Sequence, residues 1–172
     1  MTLEAFNGLE VDEAVARLRT CCESERWARA VADARPYGSP DALLADARVR
    51  WREADEAELL AAFAAHPRIG DVARLRARFS RGGDDPANRE QGQVLTADDA
   101  VLQRLKTLND VYFERFGFIF IVRAAGRSAA EMLALLEAGL VEDRASEIAR
   151  AAREQEEIMV LRLTRLLQES GS

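Results

Sequence analysis

The sequence predicts an all-α fold, a single-domain bundle of about seven or eight helices spanning residues 1–172. Apolar residues recur at three- and four-residue intervals through most of the chain, a pattern typical of packed amphipathic helices. Short connections rich in Gly, Pro, Ser and Asp separate these stretches, and none gives a reason to divide the chain into domains. The composition, 48% hydrophobic and 31% charged with only 4 Pro, is that of a soluble helical protein.

Helix starts can be assigned from side chains that cap the first turn. The predicted N-caps are Ser24, Ser39 followed by Pro40, Asp55, Thr96, and Ser128 with Glu131 in a capping box. Gly117 is predicted to close the helix that Thr96 opens, and the last helix is predicted from about Val141 to Leu167. The apolar run "FIFIVRA" between them is predicted to be a buried extended or irregular segment.

Charge and composition exclude several partners and ligands. The formal net charge of −6 argues against binding to nucleic acid or to an anionic membrane surface. No apolar stretch approaches the ~20 residues that span a bilayer, and the N-terminus lacks a secretory signal, so we expect a cytoplasmic location. Cys21 and Cys22 are adjacent and are expected to be reduced core thiols, and one His without metal-ligand spacing predicts no metal site.

His66, in "FAAHPRIGD", is the only histidine of the chain. Pro67 disfavours helical geometry in the residue before it, so the helix that starts after Asp55 must end near His66. A histidine at a helix C-terminus is favoured by the helix dipole whether or not it does chemistry. Its unperturbed pKa near ~6.5 also makes it a good general acid or base at neutral pH. Both interpretations, helix-end residue and catalytic group, stay open on spacing alone.

Three further residues are candidates for chemistry. Glu90, in "NREQGQ", is either a carboxylate that orients a histidine or part of a solvated helix start. Arg123 follows five apolar residues in "GFIFIVR" and either reaches the surface on its stem or binds a carboxylate or carbonyl. Arg162 shares a helix face with Ile158, Met159 and Leu166, which is unusual for a solvated arginine, and its guanidinium could bind a planar anion.

Several reaction classes have no support in the sequence. The chain has no GxSxG nucleophile elbow and no glycine-rich phosphate-binding loop of the GxGxxG or GxxxxGK[ST] type. Serine hydrolase, nucleotide-binding and metal-dependent activities are therefore not expected.

A set of motifs, in order and at suitable spacing, resembles the 2-oxo-4-hydroxy-4-carboxy-5-ureidoimidazoline (OHCU) decarboxylase family, whose reaction in urate degradation yields (S)-allantoin. The motifs are "FNGL", "CCESERWA", "HPRIGD", the "EQ" pair, "LNDVYFERFGFIFIVRAAGRS" and "EQEEIMVLRL". The resemblance covers about Phe6 to Leu166. It implies an all-helical fold, a homodimer, a small-molecule substrate (OHCU) and catalysis without metal or organic cofactor.

The resemblance also implies site residues. The family's catalytic histidine, glutamate and arginine correspond to His66, Glu90 and Arg162. Substrate binding is implied for the other matching positions, which are Pro67, Gln91, Phe120, Ile121, Val122 and Arg123. One position departs from many relatives, which have serine where this chain has Ala87. A side-chain hydroxyl contact is then lost at this point, where Asn88 or water could take its place.

A helical binding or interaction protein on the same scaffold is the competing hypothesis. Convergence of the His66, Glu90 and Arg162 side chains on one pocket would favour the enzyme, as would acceleration of OHCU loss with formation of optically active allantoin.

Overall fold

The computed structural model describes residues 1–66 and 94–168. Within these ranges the chain forms eight α-helices and no strand, so the prediction of an all-α fold is confirmed. The helices are α1 Leu3–Asn7, α2 Val11–Cys21, α3 Glu25–Asp33, α4 Pro40–Arg52, α5 Glu56–Ala64, α6 Val94–Phe116, α7 Ala129–Gly139 and α8 Arg144–Gln168. None of these helices is both long enough and apolar enough to cross a membrane.

Four of the five predicted caps are confirmed. Ser24, Ser39 and Asp55 each accept a hydrogen bond from the backbone N–H three residues later, and Ser128 forms the full capping box with Glu131. The prediction for Thr96 is wrong, because α6 already begins at Val94 and Thr96 therefore lies inside its first turn. A cap residue can also occur within a helix, so its identity alone does not fix where the helix begins.

The described residues fall into two compact units, one made of residues 1–66 and 148–168 and the other of residues 94–147. The first unit has a core of aromatic and aliphatic side chains that includes Phe6, Phe63 and two tryptophans. The indole N–H groups of both tryptophans are satisfied: Trp27 donates to the carbonyl of Ala47 at 3.0 Å and Trp51 donates to that of Ala152 at 2.9 Å. These bonds tie α3 to α4 and α4 to α8.

Tyr112 is the centre of the second unit and has no exposed surface. Its ring lies 4.6–5.6 Å, centroid to centroid, from Phe116, Phe118 and Phe120, which supply a tilted contact and two edge-to-face contacts. Residues 119–124 form neither helix nor strand, as predicted for "FIFIVRA". Gly117 adopts a φ of +79° and ends α6, which is also as predicted.

Gly139 is a position where a side chain does not fit. A Cβ atom there would lie 2.7 Å from Oε2 of Glu147, which is 1% exposed and accepts a 2.6 Å hydrogen bond from the Tyr112 hydroxyl. We expect Gly139→Ala to lower the free energy of unfolding by about 1–3 kcal/mol, because either the carboxylate or α7 must shift. Urea denaturation followed by circular dichroism measures this loss.

The matched control is Gly38→Ala, since a Cβ at Gly38 meets no heavy atom within 4 Å. That variant is expected to be neutral or more stable by up to about 1 kcal/mol. Equal unfolding free energies for the two variants would contradict the predicted clash.

Candidate active site

His66 lies two residues after the end of α5, and its backbone N–H donates to the carbonyl of Phe63 at 3.1 Å. The helix therefore stops where Pro67 in the sequence predicts. The half-buried imidazole is directed at α8, where its Nε2 lies 2.6 Å from Oε1 of Gln155. This contact joins two residues 89 positions apart and fixes the ring to the helix that also carries Arg162.

Gln155 has no exposed surface, and it uses both ends of its amide. Oε1 faces the ring of His66, and Nε2 donates to Sγ of Cys22 at 3.5 Å. Cys21 and Cys22 are both buried and free of disulfides, as predicted. Burial raises the pKa of the Cys22 thiol to about 12, so the thiol is neutral and serves as a packing and hydrogen-bonding group rather than a nucleophile.

Arg162 lies seven residues after Gln155 on α8, so the two side chains share one face of the helix. Its Nη1 donates to the carbonyl of Cys21 at 3.2 Å, at the C-terminal end of α2. The guanidinium charge is close enough to act on both His66 and Cys22. The structure thus brings two of the predicted catalytic residues, His66 and Arg162, into one neighbourhood.

The pKa of His66 is lowered from its ordinary value of 6.5. Burial is the largest cause, because it disfavours the charged imidazolium, and the positive charge of Arg162 acts in the same direction. The hydrogen bond to Gln155 opposes both effects but does not cancel them. His66 is therefore a neutral imidazole at neutral pH, the form that can accept a proton.

The lowered pKa of His66 leads to a prediction of how activity depends on pH. A reaction that uses the neutral imidazole of His66 as its base should slow as pH decreases through a pKa that lies below 6.5, and its rate should be retained on the alkaline side. The chain has one histidine, so a single imidazole signal in an NMR titration of tag-free protein gives this pKa directly. A pKa at or above 6.5, or an activity profile that does not follow the NMR titration, would contradict the prediction.

Glu58 of α5 is a carboxylate near this cluster that the sequence patterns do not single out. It accepts a hydrogen bond from the Ser24 hydroxyl, lies 3.4 Å from Nε of Arg26, and its charge reaches Cys22. Its side chain is 11% exposed. These contacts hold the N-terminus of α3 against α5, which is a structural role.

Gln155 is also absent from the predicted site residues, although one sequence signal points to it. It lies four residues after Ala151 and four before Met159, both of which are fully buried on α8. A polar amide at this spacing must be satisfied by hydrogen bonds inside the protein.

The remaining predicted residues belong to the second unit or lie outside the described residues. Pro67, Glu90 and Gln91 lie outside the described residues, as does Ala87. The other four belong to the second unit, where Phe120 is 4% and Ile121 2% exposed, while Val122 and Arg123 are half-buried. The carbonyl of Arg123 accepts a 3.2 Å hydrogen bond from the guanidinium of Arg127.

A pocket of about 580 Å³ between α4, α5 and α8 is lined by none of the predicted residues that the structure describes. Buried Glu156 forms its charged wall and binds Arg48 and Arg52 at 2.7–2.8 Å. These bonds hold the Glu156 pKa below its usual value and satisfy both oxygens. Its remaining lining residues are Trp51, Ala54, Leu59, Ala152, Arg153 and Glu157.

In residues 1–66 and 94–168, no three His, Cys, Asp or Glu side chains are grouped so that they could hold a metal ion.

The sequence of this chain is similar to one protein family and to several known proteins. The sequence pattern of the family described as OHCU decarboxylase matches residues 7–164. The "Uric acid degradation bifunctional protein TTL" of Arabidopsis thaliana is 30% identical over 155 residues, which make up 89% of this chain and 47% of that protein. The 2-oxo-4-hydroxy-4-carboxy-5-ureidoimidazoline decarboxylase of Haloferax volcanii is 24% identical over 164 residues, 95% of this chain and 94% of that protein.

The fold of this chain is also similar to that of a solved structure. The crystal structure of an OHCU decarboxylase in the presence of (S)-allantoin matches with a TM-score of 0.70 and 28% sequence identity, and the match covers 93% of this chain and 99% of that chain. The chain spans about half the length of the Arabidopsis protein and almost the whole length of the Haloferax one.

Proposed function

Because the chain belongs to the OHCU decarboxylase family, we propose that it converts OHCU to (S)-allantoin and carbon dioxide in urate catabolism. The observation that carries this proposal is the neutral, half-buried His66 held by buried Gln155 and accompanied by Arg162 on one face of α8. A proton acceptor beside a fixed cation suits an anionic substrate whose reaction requires a proton to move between two of its atoms.

The bonds that change are set by the structure of the substrate. Carbon 4 of the ring carries the hydroxyl and the carboxylate, and the neighbouring carbon 5 is part of the imine. When the bond to the carboxylate breaks, carbon dioxide leaves and the electron pair forms a double bond between carbons 4 and 5. The imine pair moves onto nitrogen, which takes a proton from solvent. The ring imine is thus the electron sink, and the proposed reaction needs no organic cofactor.

His66 completes the reaction in this proposal. The enol formed at carbon 4 gives its hydroxyl proton to the neutral imidazole, and carbon 4 becomes a carbonyl. The imidazolium then delivers a proton to carbon 5 from the side on which His66 lies, so that one enantiomer forms. The lowered pKa of His66 supports this role, because it keeps the imidazole neutral before the reaction and makes the imidazolium a stronger acid when it gives its proton to carbon 5.

Arg162 would orient the substrate. Its guanidinium presents several N–H donors in a fixed plane, and one of them, on Nη1, binds the carbonyl of Cys21. Other donors on the same group can bind the oxygens of an anionic substrate. The roles predicted for Glu90, Pro67, Gln91 and the Phe120–Arg123 segment stay predictions of the family resemblance.

We also propose that the protein is a homodimer in the cytoplasm, as the resemblance implies. Light scattering coupled to size-exclusion chromatography measures the mass: about twice 19.1 kDa supports the dimer, and 19.1 kDa refutes it.

The decisive test follows allantoin by circular dichroism. Urate is converted to OHCU by the enzymes that act before this step, and OHCU loss is recorded with and without the purified protein. Uncatalysed protonation reaches both faces of carbon 5 equally and gives racemic product. Faster loss of OHCU with a growing dichroism signal supports the proposed function. An unchanged rate with racemic product would reject it in favour of a binding protein on the same scaffold.

A further inference from the structure

We propose that Gln155 is the positioning residue of this site: its amide holds His66 in the tautomer with the proton on Nε2 and thereby makes Nδ1 the atom that exchanges a proton with the substrate. The role of Nδ1 in the reaction rests on the proposed function. The tautomer is a property of the free protein and can be tested without substrate.

The contact between Nε2 of His66 and Oε1 of Gln155 determines which ring nitrogen of His66 carries the proton. Oε1 of Gln155 is a carbonyl oxygen, which only accepts hydrogen bonds, and it lies 2.6 Å from Nε2 of His66. The hydrogen bond therefore needs a proton on Nε2. A neutral imidazole carries one ring proton, so Nδ1 keeps the lone pair and is the basic nitrogen.

The opposite end of the amide is held as well. Nε2 of Gln155 donates to Sγ of Cys22 at 3.5 Å, and both residues have no exposed surface. With its N–H directed at the sulfur, the amide presents its oxygen to the ring. Cys22 directly follows Cys21, whose carbonyl accepts from Arg162, so the same end of α2 anchors both Gln155 and Arg162 of α8.

The choice of an amide rather than a carboxylate has a chemical consequence. Among the residues that the structure describes, Arg162 disfavours the imidazolium through its positive charge, the thiol of Cys22 is neutral, and Glu58 and Cys21 act on Cys22. A carboxylate at position 155 would stabilise the imidazolium strongly, whereas a neutral amide orients the ring without that effect. Gln155 therefore fixes the geometry of His66 and leaves it a neutral base.

The first experiment is an NMR measurement on the tag-free wild-type protein labelled with nitrogen-15. Correlation of the ring nitrogens with the ring protons, at a pH above the pKa of His66, assigns the tautomer. We expect Nε2 to have the shift of a protonated nitrogen and Nδ1 that of an unprotonated one. The reverse assignment would overturn the proposal.

The second experiment compares three variants by NMR titration and by the pH profile of OHCU decarboxylation. Gln155→Glu keeps an acceptor for Nε2, so the rate at its optimum should be largely retained, while the pKa of His66 and the acid limb of the profile move up by about 1–3 pH units. Gln155→Leu removes the acceptor, and kcat should fall about tenfold or more with little change in KM, because the ring is no longer oriented.

Gln168→Leu is the matched control, since the same substitution falls on the same helix at an exposed position. This variant should leave the pKa of His66, the pH profile of OHCU decarboxylation and kcat unchanged. The proposal is overturned if Gln155→Glu leaves both the pKa of His66 and the acid limb where the wild-type protein has them. If the wild-type protein does not accelerate OHCU loss, the proposed function fails, and the tautomer and the titration of Gln155→Glu still decide whether Gln155 positions His66.

Discussion

Replacing His66 by asparagine or alanine is expected to reduce kcat for OHCU decarboxylation by about 10²–10⁴-fold, the usual contribution of one general acid and base. Neither side chain can accept the hydroxyl proton and return it to carbon 5 at neutral pH. The product formed by the variants should also lose optical purity, because protonation by solvent does not favour one face. Stopped-flow decay of OHCU measures the rate, and circular dichroism of the allantoin measures the enantiomeric excess.

The fold should survive this substitution. His66 is half-buried and lies beyond the end of α5, so its replacement leaves the cores of both units in place. Ala65→Ser, at the exposed neighbouring position, is the control and should keep full activity and stability. A His66→Asn protein that unfolds normally and retains the wild-type rate would remove His66 from the mechanism.

Arg162→Met is expected to lower kcat/KM by about 10²-fold, since charge-assisted hydrogen bonds contribute ~1.5–3 kcal/mol each and more than one would be lost. Arg162→Lys should recover only part of this, because lysine keeps the charge but not the planar set of donors. The same Met variant removes a positive charge that lowers the pKa of His66, so that pKa should rise in the free protein. Steady-state kinetics and NMR titration of the one imidazole measure the two effects.

Arg165→Met provides the matched control for Arg162. Arg165 lies on the same helix but is exposed, and it does not act on His66. Its replacement should change neither kcat/KM nor the titration. Similar losses for the two arginine variants would mean that the overall charge of α8, rather than a specific contact of Arg162, determines substrate binding.

Local sequence signals predict the starts of four of the eight helices of the described residues. Ser24, Ser39, Asp55 and Ser128 cap helices because a short polar side chain can reach the backbone N–H three residues later, and this chemistry is contained in a few neighbouring residues. Thr96 has the same chemistry but lies inside α6, because the start of that helix is not determined by the cap residue alone.

The candidate site is less accessible to sequence reasoning. Spacing leaves His66 and Arg162 undecided between structural and chemical roles, and the family resemblance selects them. The role of Gln155 is not predicted from the sequence, because it depends on contacts with His66 and Cys22, which are 89 and 133 positions away. Only the packing of α2, α5 and α8 brings these residues together. The periodicity of α8 indicates that Gln155 is buried, but not which group it meets.

The ion pairs of Glu156 have a consequence for how this chain tolerates changes in length. Glu156 binds Arg48 and Arg52 of α4, and the residue before it is Gln155, so α8 is attached to α4 in the same turn that faces His66. Each residue added to or removed from a helix rotates the rest of that helix by about 100°. An insertion or deletion between Glu156 and Arg162 would therefore turn Arg162 away from Cys21 while Gln155 stayed in place. Variation in length among related sequences should avoid this stretch of α8 and occur in the connections between helices.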